Sequence, residues 1–177
     1  GVDWVRYGEF TFQAVSVVTK VHPERGPDAG GTSVVVTGQN FVQSASLHCL
    51  FGLHERVPAT WIHVTAVRCI APPHAPGTVR VEVTNNGVDF TGSGVTYTFV
   101  GAESVSRISP MTGPVVGRTD VTVHGTGFVQ SAALRCKFGG IVSVATRFIN
   151  STAIVCTSPA SSAGDVAVEV SNNGADY

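Results

Sequence analysis

Hydrophobic and polar residues alternate along several short stretches of this chain. Residues 79–84 read Val-Arg-Val-Glu-Val-Thr, and Leu47, Cys49 and Phe51 are likewise spaced two apart. A period of two places every second side chain on one face of a β-strand. Similar short apolar runs predict strands at residues 17–22, 33–37, 66–70 and 95–100. No segment has a helical period of useful length, so the predicted fold class is all-β.

Glycine, proline and asparagine separate these predicted strands. Gly26 and Pro27 predict a turn before residue 33. Asn85-Asn86-Gly87 predicts a tight turn, because Asn and Gly tolerate positive φ angles. Four further residues are expected to lie between strands: Glu55, Arg56, Trp61 and His63.

The whole pattern occurs twice, at a constant offset of 87 positions (119 − 32 = 87). Residues 41–45, Phe-Val-Gln-Ser-Ala, return unchanged at residues 128–132. An offset without gaps over so many positions indicates an internal duplication and therefore two domains. About seven short strands in each unit predict two-sheet sandwiches. The predicted domains are residues 16–101 and residues 102–177, the second without its final strand.

The first 15 residues match the end of a repeat rather than its beginning. Gly1-Val2-Asp3-Trp4 corresponds to Gly87-Val88-Asp89-Phe90, and Phe10-Thr11-Phe12 corresponds to Tyr97-Thr98-Phe99. We therefore expect residues 1–15 to be the last turn and strand of a preceding repeat. A second explanation is strand donation, in which Tyr7, Phe10 and Phe12 complete repeat two of another copy at its open sheet edge. The simpler alternative is that the missing strand follows Tyr177 in a longer protein.

Each repeat contains two cysteines, 20 positions apart: Cys49 and Cys69 in the first, Cys136 and Cys156 in the second. Equal pairs within each repeat predict one disulfide per domain and hence an oxidising compartment. The alternative is four buried thiols in a cytosolic protein. Each bridge would contribute roughly 3 kcal/mol in the chain-entropy model.

Composition excludes several classes of function. Only 13% of the residues are charged and the formal net charge is −1, so the basic surface that nucleic-acid binding requires is absent. The apolar runs are too short for a membrane-spanning helix, and we expect no membrane insertion by this segment. The chain has no nucleophile elbow and no paired acids, so we expect neither an enzyme nor a cofactor.

The sequence contains residues that suggest two kinds of metal site and one modification site. The six histidines do not recur between the repeats, so a metal site is not expected. Asp89 and Asp176 each follow an Asn-Asn-Gly turn, where turn capping explains a lone acid better than calcium binding. Asn150-Ser151-Thr152 is an N-glycosylation sequon in an expected exposed loop, with chance occurrence as the alternative.

These motifs resemble those of the IPT/TIG domain, an immunoglobulin-like module. In repeat one the resemblance rests on Pro23, Gly26-Pro27, Gly31-Thr32, Gly38, Phe41, Cys49, Phe51-Gly52, Cys69, Pro72 and Asn85-Asn86-Gly87. In repeat two it rests on Pro110, Gly113-Pro114, Thr119, Gly125, Phe128, Cys136, Phe138-Gly139, Cys156, Pro159 and Asn172-Asn173-Gly174. The resemblance implies tandem immunoglobulin-like β-sandwiches of the early E-set type. It also implies the extracellular, disulfide-bonded branch of the family rather than its DNA-binding branch.

The resemblance leaves the function open, because one fold serves many functions. Our first expectation is a non-enzymatic structural or adhesive segment of a large extracellular or cell-surface repeat protein, assembling head to tail into a filament. The second is a ligand-binding ectodomain of a plexin-like receptor, and the third is a carbohydrate-associated module of a secreted enzyme. The expected partners are other protein modules, adjacent repeats or copies of the chain, together with glycans.

Overall fold

The computed structural model of the chain describes residue 8, residues 10–143 and residues 146–177. The described residues form strands and connecting turns, with no helix among them, and therefore no helix long and apolar enough to cross a bilayer. Repeat one contains β1 (Val17–His22), β2 (Arg25–Pro27), β3 (Ser33–Gln39), β4 (His48–Phe51), β5 (Glu55–His63), β6 (Ala66–Ile70), β7 (Gly77–Thr84) and β8 (Thr96–Val100). Repeat two contains β9 (Ser104–Ser109), β10 (Asp120–Thr126), β11 (Arg135–Phe138), β12 (Ile141–Ser143), β13 (Thr146–Asn150), β14 (Ala153–Thr157) and β15 (Val168–Ser171).

Each repeat is a sandwich of two mainly antiparallel layers. In repeat one, β1-β3-β6 form one layer and β4-β7-β8-β2 the other, and β5 pairs with β6 and with β4. In repeat two the layers are β13-β14-β10-β9 and β12-β11-β15. The period of two places Val34, Val36, Val81 and Val83 on the inner face of repeat one, and all four are buried, whereas Val79 on the same face is half-buried. The prediction of tandem immunoglobulin-like sandwiches is confirmed.

One disulfide joins the two layers of each repeat, as predicted. Cys49 on β4 is bonded to Cys69 on β6, with 6.3 Å between their Cα atoms. Cys136 on β11 is bonded to Cys156 on β14, with 6.2 Å between their Cα atoms. All four side chains are buried, so each bond crosses the centre of its domain's core.

Two segments that were expected to be irregular are strands. Residues Glu55–His63, which include Glu55, Arg56, Trp61 and His63, form β5. One part of β5 pairs with β4 and the other with β6, so β5 is an edge strand of both layers. Its residues therefore alternate between half-buried and exposed positions. An edge strand also tolerates a proline such as Pro58. Gly26 and Pro27, predicted as a turn, belong to β2, which pairs in parallel with β8. Residues 25–27 show no apolar alternation in the sequence. In β5, Val57, Ala59 and Trp61 do alternate with other residues and pack against the core, but the alternation was not recognised as a strand.

The two repeats are joined by residues 101–103, which lie between β8 and β9 and have no regular secondary structure. The junction therefore has three residues between one sandwich and the next. A connection this short limits the separation of the two domains. The expected division of the chain between residues 101 and 102 stays a prediction.

Candidate functional site at the junction between the repeats

A turn rich in asparagine follows β7 and is held by its own side chains. The Oδ1 atom of Asn86 accepts hydrogen bonds from the backbone N–H groups of Val88 (3.0 Å) and Asp89 (2.9 Å). Asn86 Nδ2 donates to Asp89 Oδ2 at 2.8 Å, and the backbone N–H of Gly87 donates to Thr84 Oγ1. Gly87 has a φ of 82°, which favours glycine at that position. We call residues 85–89 turn 1.

The same turn follows β15 in repeat two, and we call residues 172–176 turn 2. Asn173 Oδ1 accepts hydrogen bonds from the backbone N–H groups of Ala175 (3.0 Å) and Asp176 (2.9 Å). Asn173 Nδ2 donates to Asp176 Oδ2 at 2.6 Å. The spacing Asn-Gly-x-Asp thus reproduces one hydrogen-bonded geometry in both repeats.

The first asparagine of each turn fixes it to its own domain. Asn85 Oδ1 accepts a hydrogen bond from the backbone N–H of Val42 (3.0 Å), and Asn172 Oδ1 accepts the equivalent bond from Val129 (2.9 Å). Asn172 also connects to the linker, since its backbone N–H donates to Glu103 Oε1 at 3.1 Å. Both turns are therefore rigid projections at the same end of their sandwiches.

Turn 2 contacts repeat one through two hydrogen bonds. The hydroxyl of Thr32 donates to Asp176 Oδ2 at 2.6 Å. Asn173 Nδ2 donates to the backbone carbonyl of Arg25 at 3.0 Å. A cleft of about 220 Å³ adjoins this contact, and Gly26, Pro27 and Tyr177 are among the residues that line it. We call Arg25, Gly26 and Thr32 socket 1.

Socket 1 has no space for a side chain at position 26. A Cβ atom on Gly26 would lie 2.1 Å from Tyr97 Oη and 2.2 Å from Thr32 Oγ1. Tyr97 and Thr32 are almost completely buried, at 0% and 1% exposure. Close approach of the β2 backbone to these hydroxyls therefore requires glycine.

The buried Tyr97 hydroxyl makes no hydrogen bond of good geometry with any described residue. Burial is the main reason that its pKa is raised to about 12. The nearby Thr32 hydroxyl lowers this pKa, and the negative charge of Asp176 across the junction raises it. Tyr97 consequently stays protonated beside the carboxylate at neutral pH.

Turn 1 is more exposed than turn 2. The surface of repeat two that corresponds to socket 1 is likewise more exposed than socket 1. Asn86 and Asp89 of turn 1 are exposed, whereas Asn173 is buried and Asp176 is half-buried. We call Thr112, Gly113 and Thr119 socket 2; they occupy the positions of Arg25, Gly26 and Thr32 in the repeat. Gly113 is exposed and Thr119 is half-buried. The same two surfaces thus occur joined once and open once.

The other sites predicted from the sequence lie away from this junction. Asn150, the last residue of β13, is exposed, and its Oδ1 accepts hydrogen bonds from the backbone N–H and hydroxyl of Thr152. Phe10 and Phe12 are 80% and 90% exposed and contact each other edge to face, while Tyr7 lies outside the described residues. Glycosylation of Asn150 and strand donation by Tyr7, Phe10 and Phe12 stay predictions. Across the described part of the chain, no three His, Cys, Asp or Glu side chains are grouped to hold a metal ion.

The junction residues Thr32, Asn173 and Asp176 were not predicted as a site. Asp176 was interpreted only as part of a turn, because a sequence does not show that the turn of one domain faces a loop of the other. The sequence did contain one signal of the contact. The Asn-Asn-Gly-x-Asp motif of the turn recurs between the repeats at the same offset as the Gly-Pro and Thr positions of the socket. Two complementary elements repeated at one period would have suggested a contact between domains.

The fold and the junction define a class: tandem disulfide-bonded immunoglobulin-like modules. The profile of the IPT/TIG domain matches residues 16–99 and residues 104–177. The chain therefore belongs to the IPT/TIG domain family, as the sequence motifs indicated.

Similar proteins are plexins. Human Plexin-A3 is 29% identical over 161 residues, and human Plexin-A2 is 28% identical over 158 residues. These matches cover 83% and 85% of the chain, which spans 8% of the length of either relative. A structure of the full extracellular region of plexin A4, domains 1 to 10, has a TM-score of 0.56 at 24% identity and covers 85% of this chain and 13% of that one. That structural likeness shows the fold.

The relationship to plexin extracellular regions shows that this chain is an extracellular or cell-surface segment, as expected. It also supports a non-enzymatic domain that interacts with other protein modules. Of the three functions expected from the sequence, the receptor ectodomain fits these findings better than the filament.

Proposed function

We propose that this chain is a spacer segment of a plexin-like receptor ectodomain, without catalytic activity of its own. Its two modules hold other parts of the ectodomain at a fixed distance and angle. The similarity to plexins across most of the chain supports the receptor assignment. The joined turn and socket support the spacer role.

The observation that carries the spacer role is the hydrogen-bonded junction. The Thr32 hydroxyl and the Asp176 carboxylate are 2.6 Å apart, and hydrogen bonds to charged groups contribute about 1.5–3 kcal/mol. The Asn173 contact with the Arg25 carbonyl adds a second fixed point. Two points of contact and a three-residue linker together restrict rotation of one sandwich about the other.

Nuclear magnetic resonance relaxation of the ¹⁵N-labelled chain tests this proposal. We expect both repeats to tumble as one body, with one common rotational diffusion tensor. Thr32→Val keeps the side-chain shape but removes the hydroxyl, so it should make the two repeats tumble more independently. Thr119→Val is the matched control, because Thr119 is the equivalent threonine of the open socket, and it should leave the tumbling unchanged. Independent tumbling of the two repeats in the unaltered chain would contradict the proposal.

The other two functions make different demands on this chain. A filament segment needs copies that associate, which sedimentation of the chain over a range of concentrations would detect. A carbohydrate-associated module needs a surface that binds sugars, for which an array of immobilised glycans is the direct assay. A monomeric chain without glycan binding would leave the receptor spacer as the supported function.

A further inference from the structure

We propose that turn 1 and socket 2 are docking surfaces for a further IPT/TIG module, each using the contact seen between turn 2 and socket 1. Turn 1 would enter the socket of one module, and socket 2 would receive the Asn-Asn-Gly-x-Asp turn of another. This inference rests on the proposed spacer role and extends it to the partner that the open surfaces recognise.

Turn 1 has the geometry that socket 1 recognises in turn 2. The Asn86 to Asp89 side-chain bond is 2.8 Å long, compared with 2.6 Å between Asn173 and Asp176. In turn 2 this pair also presents one N–H of the asparagine and one carboxylate oxygen to repeat one. Turn 1 presents the same groups at its exposed face, so no rearrangement is needed for it to dock.

Socket 2 has the same backbone pairing as socket 1 at its threonine, although residues 112–114 form no strand equivalent to β2. The carbonyl of Thr119 accepts a hydrogen bond from the N–H of Ser158 at 2.8 Å, and Thr32 accepts the equivalent bond from Ala71 at 2.9 Å. A Cβ on Gly113 would lie 2.7 Å from Thr119 Oγ1, so glycine again brings the backbone close to the threonine hydroxyl. Socket 2 therefore offers the Thr119 hydroxyl as a donor, and in the proposed contact the backbone carbonyl of Thr112, at the position of Arg25 in the repeat, is the acceptor.

These groups select their occupant by chemistry. A threonine hydroxyl beside a backbone carbonyl binds a ligand that has both an acceptor and a donor at a fixed spacing. The Asp carboxylate and the Asn amide of the rigid turn supply them, and the bond to the carboxylate is charge-assisted. Because the turn is already ordered, docking costs little conformational entropy. The occupant to which the structure points is a turn of sequence Asn-Asn-Gly-x-Asp on another module.

A fusion of two copies of the chain, the second without its residues 1–4, creates the predicted contact. Residues 1–4 repeat the pattern of residues 174–177, so joining Tyr177 of one copy directly to Val5 of the next continues the repeat in register. Socket 2 of the first copy then faces turn 1 of the second copy. Joining the copies with a split intein allows the second copy alone to carry ¹⁵N, so its turn 1 is observed by itself. The splicing reaction needs a side-chain hydroxyl or thiol directly after the joint, so the second copy carries Val5→Ser.

Hydrogen exchange of the Val88 and Asp89 amides is the readout. We expect these amides to exchange about tenfold more slowly in the second copy of the fusion than in the single chain. Thr119→Val in the first copy should return the rate to that of the single chain, although it lies on a different module. The same substitution in the single chain should leave turn 1 unchanged.

Two results would overturn the inference: no slowing in the fusion, or slowing that Thr119→Val does not reverse. Thr32→Val in the single chain separates this failure from that of the proposed function. It should accelerate exchange at Ala175 and Asp176 of turn 2 if the observed junction forms in solution. Suppose that Thr32→Val accelerates exchange in turn 2 of the single chain, while the fusion does not slow exchange in turn 1. The spacer role then stands, and the inference that the contact recurs between further modules is wrong.

Discussion

The two repeats have the same backbone plan but stabilise equivalent side chains in different ways. Glu82 in repeat one is buried, and its carboxylate accepts hydrogen bonds from the Thr91 hydroxyl and the backbone N–H of Ser93. Its counterpart Glu169 is half-buried and pairs with Lys137 at 2.7 Å. The two repeats therefore share their strand pairing, whereas equivalent side chains make contacts with different partners.

The aromatic residues show the same contrast. In repeat one, Phe51, Tyr97 and Phe99 form an edge-to-face cluster with ring centroids 5.0–6.2 Å apart. Phe138, the counterpart of Phe51, is 8% exposed, whereas Phe51 is fully buried. Because β8 supplies two of the three rings, the core of repeat one depends on that strand.

The feature that the repeats share most closely is the disulfide, and its removal should have the largest effect. Replacing Cys49 and Cys69 by alanine, or Cys136 and Cys156 by alanine, should destabilise the affected repeat by about 3 kcal/mol. The two costs should be similar, because both bonds close loops of 20 positions between buried residues.

Denaturant unfolding of the full chain measures both costs. In a Trp4→Phe background, Trp61 fluorescence follows repeat one, and circular dichroism follows both repeats. Reduction of the unaltered chain provides the reference for losing both bonds together. If removing one disulfide lowers the free energy of unfolding more than twice as much as removing the other, loop length does not determine the stabilisation. The repeats would then differ more than their sequences indicate.

The alternation of valines predicted most of the inner face of repeat one because burial on one face imposes a period of two. In repeat two the same alternation succeeded at Val170 but not at Val166, which is 49% exposed. The equal spacing of Cys49–Cys69 and Cys136–Cys156 predicted the disulfides for a similar reason, since duplication preserves a covalent bond. Strand β5 was missed although Val57, Ala59 and Trp61 alternate, because Pro58 interrupts the run and an edge strand buries its inner side chains only in part. The junction was missed because its two hydrogen bonds join residues 144 and 148 positions apart, and no local pattern in the sequence shows contacts at that separation.

Alkaline pH should destabilise repeat one through Tyr97. Its pKa is about 12 in the folded chain and the ordinary value is 10, so the unfolded state loses its proton first as pH rises. The stabilisation is complete below pH 10 and is lost between pH 10 and 12, by about 2 kcal/mol at the upper limit. Tyr97→Phe should remove this loss, and it should cost little at neutral pH because the hydroxyl has no good hydrogen-bond partner among the described residues.

Unfolding of the same Trp4→Phe chain in denaturant at a series of pH values from about 9 to 12 tests the Tyr97 prediction. Tyr177→Phe is the matched control, since burial also raises the pKa of Tyr177, which lies in repeat two. This control should leave the Trp61 transition unchanged at each pH. A pH dependence of repeat one that persists in Tyr97→Phe would assign the alkaline loss to other groups.

The smallest expected effect compares the two sockets through their glycines. Gly26→Ala places a methyl group 2.1–2.2 Å from two buried hydroxyl oxygens, so Tyr97 or Thr32 must move. Gly113→Ala meets only the side chain of the half-buried Thr119, with the hydroxyl at 2.7 Å and Cβ at 3.3 Å, and can relax toward solvent. We expect Gly26→Ala to destabilise its repeat by about 1.5 kcal/mol more than Gly113→Ala does.

Unfolding of the full chain measures both free-energy changes. The ¹⁵N relaxation of Gly26→Ala should also show looser coupling of the two repeats, because Thr32 can no longer hold Asp176. Equal costs for the two substitutions would mean that socket 1 accommodates a methyl group, and that its close packing is not what orients the Thr32 hydroxyl toward turn 2.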